Sequence, residues 1–154
     1  MPFEASSPIP KRMVEAAFAI GATVALIHDV LISLGIFVLL GRELSLPMVG
    51  AILAVAGYSI NDTIVIFDRI RETFRGGLHG NKAEAMNLAI NQTLSRTLMT
   101  SATTFLAVLV LFLFGGRVIN DFALILLIGI VVGTYSSIFI ASPIALLAGG
   151  RSRR

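Results

Sequence analysis

Apolar residues along this 154-residue chain gather into four long runs, at residues 13–40, 44–67, 94–114 and 119–148. Each reaches the roughly 20 mostly apolar residues that an α-helix needs to cross the hydrocarbon layer of a membrane. The first and last runs are longer than that minimum, which permits tilt or an end resting at the interface. Lipid leaves no partner for an unpaired backbone, and the runs lack the alternation of barrel strands, so the pattern predicts four transmembrane helices. Residues 41–44 and 115–118 read as tight turns, 68–93 as a longer connection, 1–12 as an irregular leader and 149–154 as a basic tail. The expected fold is therefore an all-α integral membrane domain over residues 13–148.

The long connection holds its own signal. Gly76, Gly77 and Gly80 break the chain, and Asn81 with Glu84 three residues later forms a capping box in its asparagine form. Ala83, Met86, Ile90 and Leu94 then recur at helical spacing, with Lys82, Asn87 and Asn91 on other faces. A short amphipathic helix is expected here, lying on the membrane surface or against the bundle, with partner docking as the alternative.

Composition narrows the class. Hydrophobic residues make up 56% of the chain, and its 14 Gly raise the apolar share to about 65%, against roughly 45–50% in soluble domains. Only 14% of residues are charged. A soluble enzyme, a disordered tail and a nucleic-acid-binding domain all fit poorly. Cys is absent and the two His have no neighbouring ligands, so no metal and no cofactor is expected. The net charge of +3 follows from topology: ten Lys and Arg fall on the side of the two termini and long connection, and only Arg42 and Arg117 on the other. The basic side should be cytoplasmic, with both termini inside. Lys11 and Arg12 lead into a run far longer than a signal-peptide core of about 7–15 residues, so a retained span is expected.

An ionisable group at bilayer depth costs at least about 2.5–3.5 kcal/mol and marks a pathway or a partner. In the second run Asn61 and Asp62 interrupt the apolar text beside a small-residue stripe of Gly50, Ala54, Gly57 and Asn61, spaced to admit a close helix neighbour. Asp62 reads either as a carboxyl group that takes up and releases a proton, or as a buried carboxylate held by helix–helix hydrogen bonds or snorkelling to the interface. Arg96 on the third run is the candidate cation, sharing a face with Thr100 and Thr103, with Thr97, Ser101 and Thr104 alongside. Those hydroxyls can hold a file of water, or bond back to their own helix, and Arg96 can equally anchor the helix at the headgroups. His28 and Asp29 form a polar pair in the first run, either a packing device or a proton relay. Gly129 and Gly133 in the fourth run form a Gly-xxx-Gly packing motif, and Ser142-Pro143 is expected to kink its end.

Four ordered stretches carry a resemblance: GYSINDTIVIFDRIRE from Gly57, HDVLISLGIF from His28, SRTLMTSATT from Ser95 and FALILLIGIVVGTYSSIFIASP from Phe122. They resemble the SecF branch of the SecD/SecF family, within the resistance-nodulation-division superfamily, over residues 16–147. The resemblance is to the last four of the family's six spans; the first span, the periplasmic domain and most of the second have no counterpart, which fits a partial chain, a split gene or the tail of a fused SecD/SecF. It implies a bacterial inner-membrane subunit that works with SecD beside the SecYEG channel and couples proton flow to late steps of preprotein export. It also implies that Asp62 and Arg96 occupy the family positions linked to proton conduction. Besides these proteins and lipid, no partner is expected, nucleic acid included. The alternatives are an assembly module without transport of its own and a small relative of proton-driven efflux proteins; covalent catalysis has no motif here.

Overall fold

The computed structural model describes residues 11–75 and 82–150. The leader up to residue 10, the glycines at 76, 77 and 80, Asn81 of the capping box and the basic end of the tail lie outside the described residues. The rest is helical: α1 (Lys11–Leu39), α2 (Leu46–Arg75), α3 (Lys82–Phe114), α4 (Gly116–Ser136), a π-helical turn (Ser137–Ala141) and α5 (Ser142–Gly150). Four helical stretches, the last running from α4 through α5, are long and apolar enough to cross a membrane. Gly41 and Gly116 make the two tight reversals with φ of 71° and 75°, a conformation that a residue with a Cβ adopts only at a cost.

Several boundaries differ from the sequence pattern: α2 begins at Leu46, α4 begins at Gly116 inside the turn expected at 115–118, and α5 ends at Gly150; three further differences have a plain physical reason. Lys11 and Arg12 already belong to α1, because nothing in their side chains opposes extending a helix. α2 continues past residue 67 to Arg75, burying Ile70 and Thr73, and the amphipathic stretch after residue 81 runs without a break into the third span as one helix, α3. That stretch lies against the bundle: Met86 and Ala89 pack with Phe67, Ile70 and Phe18, whose ring stacks on Phe67 at 4.6 Å between centroids. Side by side, α2 and α3 are also tied by Arg69 Nε, which donates to Gln92 Oε1 at 2.9 Å.

The bundle is organised around α4, which touches α1, α2 and α3. One apolar cluster, with Phe18, Phe67 and Met86, fills the end where α1 begins; a second, of Phe37, Met48, Ala51 and Ile125, fills the opposite end. Between them the core is polar. Outward-facing positions along the helices carry Leu, Ile and Val, as in Leu31, Leu53, Ile64, Leu106 and Val131, a surface suited to lipid or to another apolar helix.

The expected disturbance at Ser142-Pro143 takes the form of the π-turn. Pro143 has no N–H for the carbonyl four residues earlier, and the helix widens just before it. Ser142 Oγ donates to the Ser137 carbonyl five residues back at 3.2 Å.

Candidate functional site

The polar middle of the bundle is built from side chains on all four helical stretches. Its centre is Asp29, fully buried on α1. Its Oδ2 accepts hydrogen bonds from Ser59 of α2 and from Ser136 of α4, the latter at 2.7 Å, while Oδ1 lies 3.1 Å from Nδ1 of His28. One turn along α2 from Ser59, Thr63 Oγ1 lies 3.0 Å from Ser137 Oγ, and Ser137 Oγ donates back to the Gly133 carbonyl at 2.9 Å. A second chain of hydroxyls joins α2, α3 and α4: Tyr58 Oη donates to Ser101 Oγ at 2.8 Å, and Ser101 Oγ lies 2.7 Å from Thr134 Oγ1. A buried carboxyl group whose oxygens are hydrogen-bonded from neighbouring helices is held in place, and those bonds offset the cost of burying it.

Asp62 is placed differently. It is 4% exposed, and its Oδ2 is buried with no hydrogen-bond partner. Thr97 Oγ1, on the adjacent α3, is likewise buried and unpartnered. An unpaired carboxylate oxygen in such a place leaves a binding capacity for a proton, a water or a partner group, since leaving it empty costs free energy.

The remaining expected site residues divide. Arg96 is exposed and makes no ion pair with Asp62 among the described residues. Thr100, Thr103 and Thr104 each donate to carbonyls of their own helix, three or four residues back, so their hydroxyls form no chain of their own; Ser101 alone of that group reaches across to other helices. Asn61 is exposed, as are Gly50, Ala54 and Gly57, so the small-residue stripe of α2 faces out of the bundle, and a Cβ added at Gly57 would meet open space. On α4 a Cβ on Gly129 would overlap the Val55 side chain, and one on Gly133 would press on Ser59 at 3.3 Å.

Ser59, Thr63, Ser136 and Ser137 complete the seam and lie outside the set of candidate site residues drawn from the sequence. The sequence holds a signal for them: Ser59 and Thr63 share a face with the buried Val55 and Ile66, and Ser136-Ser137 lies three residues after the second glycine of the Gly-xxx-Gly motif.

Comparison with known proteins settles the family. Residues 13–151 match the family model described as "Protein export membrane protein SecD/SecF, C-terminal". The chain belongs to the SecD/SecF family. Among its SecD/SecF relatives, it is 55% identical over 137 residues to the protein translocase subunit SecF of Thermodesulfovibrio yellowstonii, covering 88% of this chain and 46% of that protein. It is 49% identical over 135 residues to SecF of Escherichia coli O157:H7, covering 88% and 42%. The crystal structure of SecDF from Thermus thermophilus, a translocon-associated membrane protein, superposes with a TM-score of 0.83 at 49% identity, covering 88% of this chain and 19% of that one. The chain thus spans less than half the length of these SecF relatives, and it is a multi-pass membrane protein of the family's C-terminal type.

Proposed function

We propose that this chain supplies the membrane part of a protein-export subunit that works with SecD beside the SecYEG channel in the bacterial inner membrane, with both termini cytoplasmic. In this reading Asp62 takes up and releases the protons that drive it, and Arg96 sets the charge balance when a partner helix or water brings the two into contact. The observation that carries the reading is the buried, unpartnered Oδ2 of Asp62 on the helix whose neighbouring stripe, Gly50, Ala54, Gly57 and Asn61, is left open. Moving one charge through the membrane field is worth about 2.3 kcal/mol per 100 mV, enough to bias helix packing as Asp62 changes protonation state.

The experiment is export into inner-membrane vesicles that carry this chain with its SecD partner, with and without a proton gradient. Asp62→Asn should abolish the stimulation by the gradient and leave gradient-independent export in place. Full stimulation in that variant would sink the reading.

The open stripe on α2 also favours an assembly role, in which SecD seats against Gly50, Ala54 and Gly57. Gly129 and Gly133 are used inside the chain, against Val55 and Ser59. In this reading the assembly surface consists of the stripe on α2 and the exposed side of the start of α3, with Asn87, Leu88 and Asn91.

A further inference from the structure

Between the first third of α1 and the last third of α2 runs a groove of about 340 Å³, lined by Glu15, Ala19, Ala22, Ile64, Asp68 and Arg71, with the Phe18 and Phe67 rings beneath. Its chemistry changes along its length. Glu15, Asp68 and Arg71 lie towards the start of α1 and the end of α2, where the bundle carries its charge; Ala19, Ala22 and Ile64 lie deeper into the apolar zone. From Glu15 to Ala22 is seven residues of helix, about 10 Å of descent. Glu15 and Asp68 are exposed and make no ion pair among the described residues. The Arg71 guanidinium is half-buried, 5.6 Å above the centre of the Phe18 ring, which holds it at the groove without satisfying its hydrogen-bond donors.

We infer that this groove is a binding site for a zwitterionic phospholipid with a primary-amine headgroup, a phosphoethanolamine lipid, whose acyl chain descends over Ala19, Ala22 and Ile64. A charged mouth above an apolar floor matches the polarity gradient of a lipid standing in its leaflet. The charges select the headgroup. Arg71 supplies planar donors for one phosphate, and Glu15 and Asp68 supply acceptors for an ammonium group one ethylene unit away. Two carboxylates to one guanidinium disfavour a purely anionic lipid. A choline headgroup has no N–H to donate to either carboxylate. A polypeptide helix is the rival occupant, and it leaves both carboxylates needing a cation it must itself provide. The inference does not depend on the role of Asp62.

The test uses the full chain purified in detergent, stripped of lipid and titrated with phosphatidylethanolamine, phosphatidylcholine or phosphatidylglycerol of identical acyl chains, with bound lipid counted by native mass spectrometry. Phosphatidylethanolamine should bind about three- to tenfold more tightly than phosphatidylcholine, the scale of one charge-assisted hydrogen bond at an exposed site. The double variant Glu15→Gln/Asp68→Asn should erase that preference, Arg71→Gln should weaken all three lipids, and Arg42→Gln at the other end of the bundle should change nothing. Helical circular dichroism of each variant checks that the fold is kept. Equal binding of the ethanolamine and choline lipids overturns the proposal, as does a preference for phosphatidylglycerol. In native membranes a photo-crosslinker at Ala19 should capture lipid; capture of protein alone would assign the groove to a polypeptide and overturn it equally.

Discussion

Asp29 and Ser136 stand 107 positions apart in the chain and 2.7 Å apart in the fold. Ser59 donates to the same carboxylate oxygen, so a single atom on α1 gathers α2 and α4. The joint is polar because lipid offers no hydrophobic drive between helices: packing and interhelical hydrogen bonds must hold them.

Asp29→Ala should therefore destabilise the chain in detergent by about 2 kcal/mol, taking roughly 0.6 kcal/mol for each interhelical bond and some further cost for the stranded hydroxyls. Asp29→Asn should cost less, because its amide oxygen still accepts from Ser59 and Ser136. Thermal unfolding followed by circular dichroism orders the three proteins; equal stability of wild type and Asp29→Ala would contradict the joint.

Gly129→Ala forces a Cβ into the Val55 side chain. Overpacking of this kind costs about 1–3 kcal/mol. Gly57→Ala, which meets open space, should stay within about 0.5 kcal/mol of wild type. Combining Gly129→Ala with Val55→Ala should recover part of the loss, a non-additivity that a double-mutant cycle reads directly.

Tyr58→Phe removes the donor to Ser101 and leaves the ring in place. In a cycle with Ser101→Ala the coupling should be near the average of about 0.6 kcal/mol measured for such bonds in membrane bundles. Zero coupling would mean that the Tyr58–Ser101 hydrogen bond contributes nothing to the α2–α3 contact.

Gly57→Leu places a large side chain on the open stripe of α2 and should abolish co-purification with SecD while the chain itself unfolds at an unchanged temperature. Asp62→Asn should leave co-purification intact. If Gly57→Leu still brings SecD down, the stripe is not the contact surface.

Hydropathy locates the four spans because run length is a property of the chain alone, and the Gly-xxx-Gly spacing marks a stretch where an added Cβ at Gly129 or Gly133 would press on Val55 or Ser59. The same reasoning picked out Asp62 and Asp29 as polar groups needing an account, but could not tell their environments apart, since both sit in similar apolar text. Which serines reach Asp29 depends on how α4 is rotated against α1 and α2, and that rotation is a tertiary fact. Thr100, Thr103 and Thr104 illustrate the opposite limit: a row of hydroxyls on one helix face looks the same in sequence whether it faces a neighbour or bonds back to its own carbonyls. The continuity of α3 is also not legible in the sequence, because the amphipathic helix expected from Ala83 and the apolar run from 94 read as two elements until Met86 and Ala89 find a surface to cover.

The π-turn at Ser137–Ala141 carries a consequence for how the chain tolerates change in length. A wide turn accommodates one residue more than an α-helix would, and each α-helical residue swings the helix face by about 100°. Ala141 and Ala145 reach Gly21 on α1 so closely that a Cβ there would stand 2.7 Å from the Ala141 carbonyl oxygen. Excising a single residue from the turn would restore an ordinary α-helix with Ala145 still facing α1, whereas winding the same five residues as plain α-helix would rotate α5 by about 100° and carry Ala145 off α1. The fourth helical stretch thus keeps two separate phases, one fixed to Asp29 and one to Gly21, and the turn between them is the one-residue offset that lets both be satisfied.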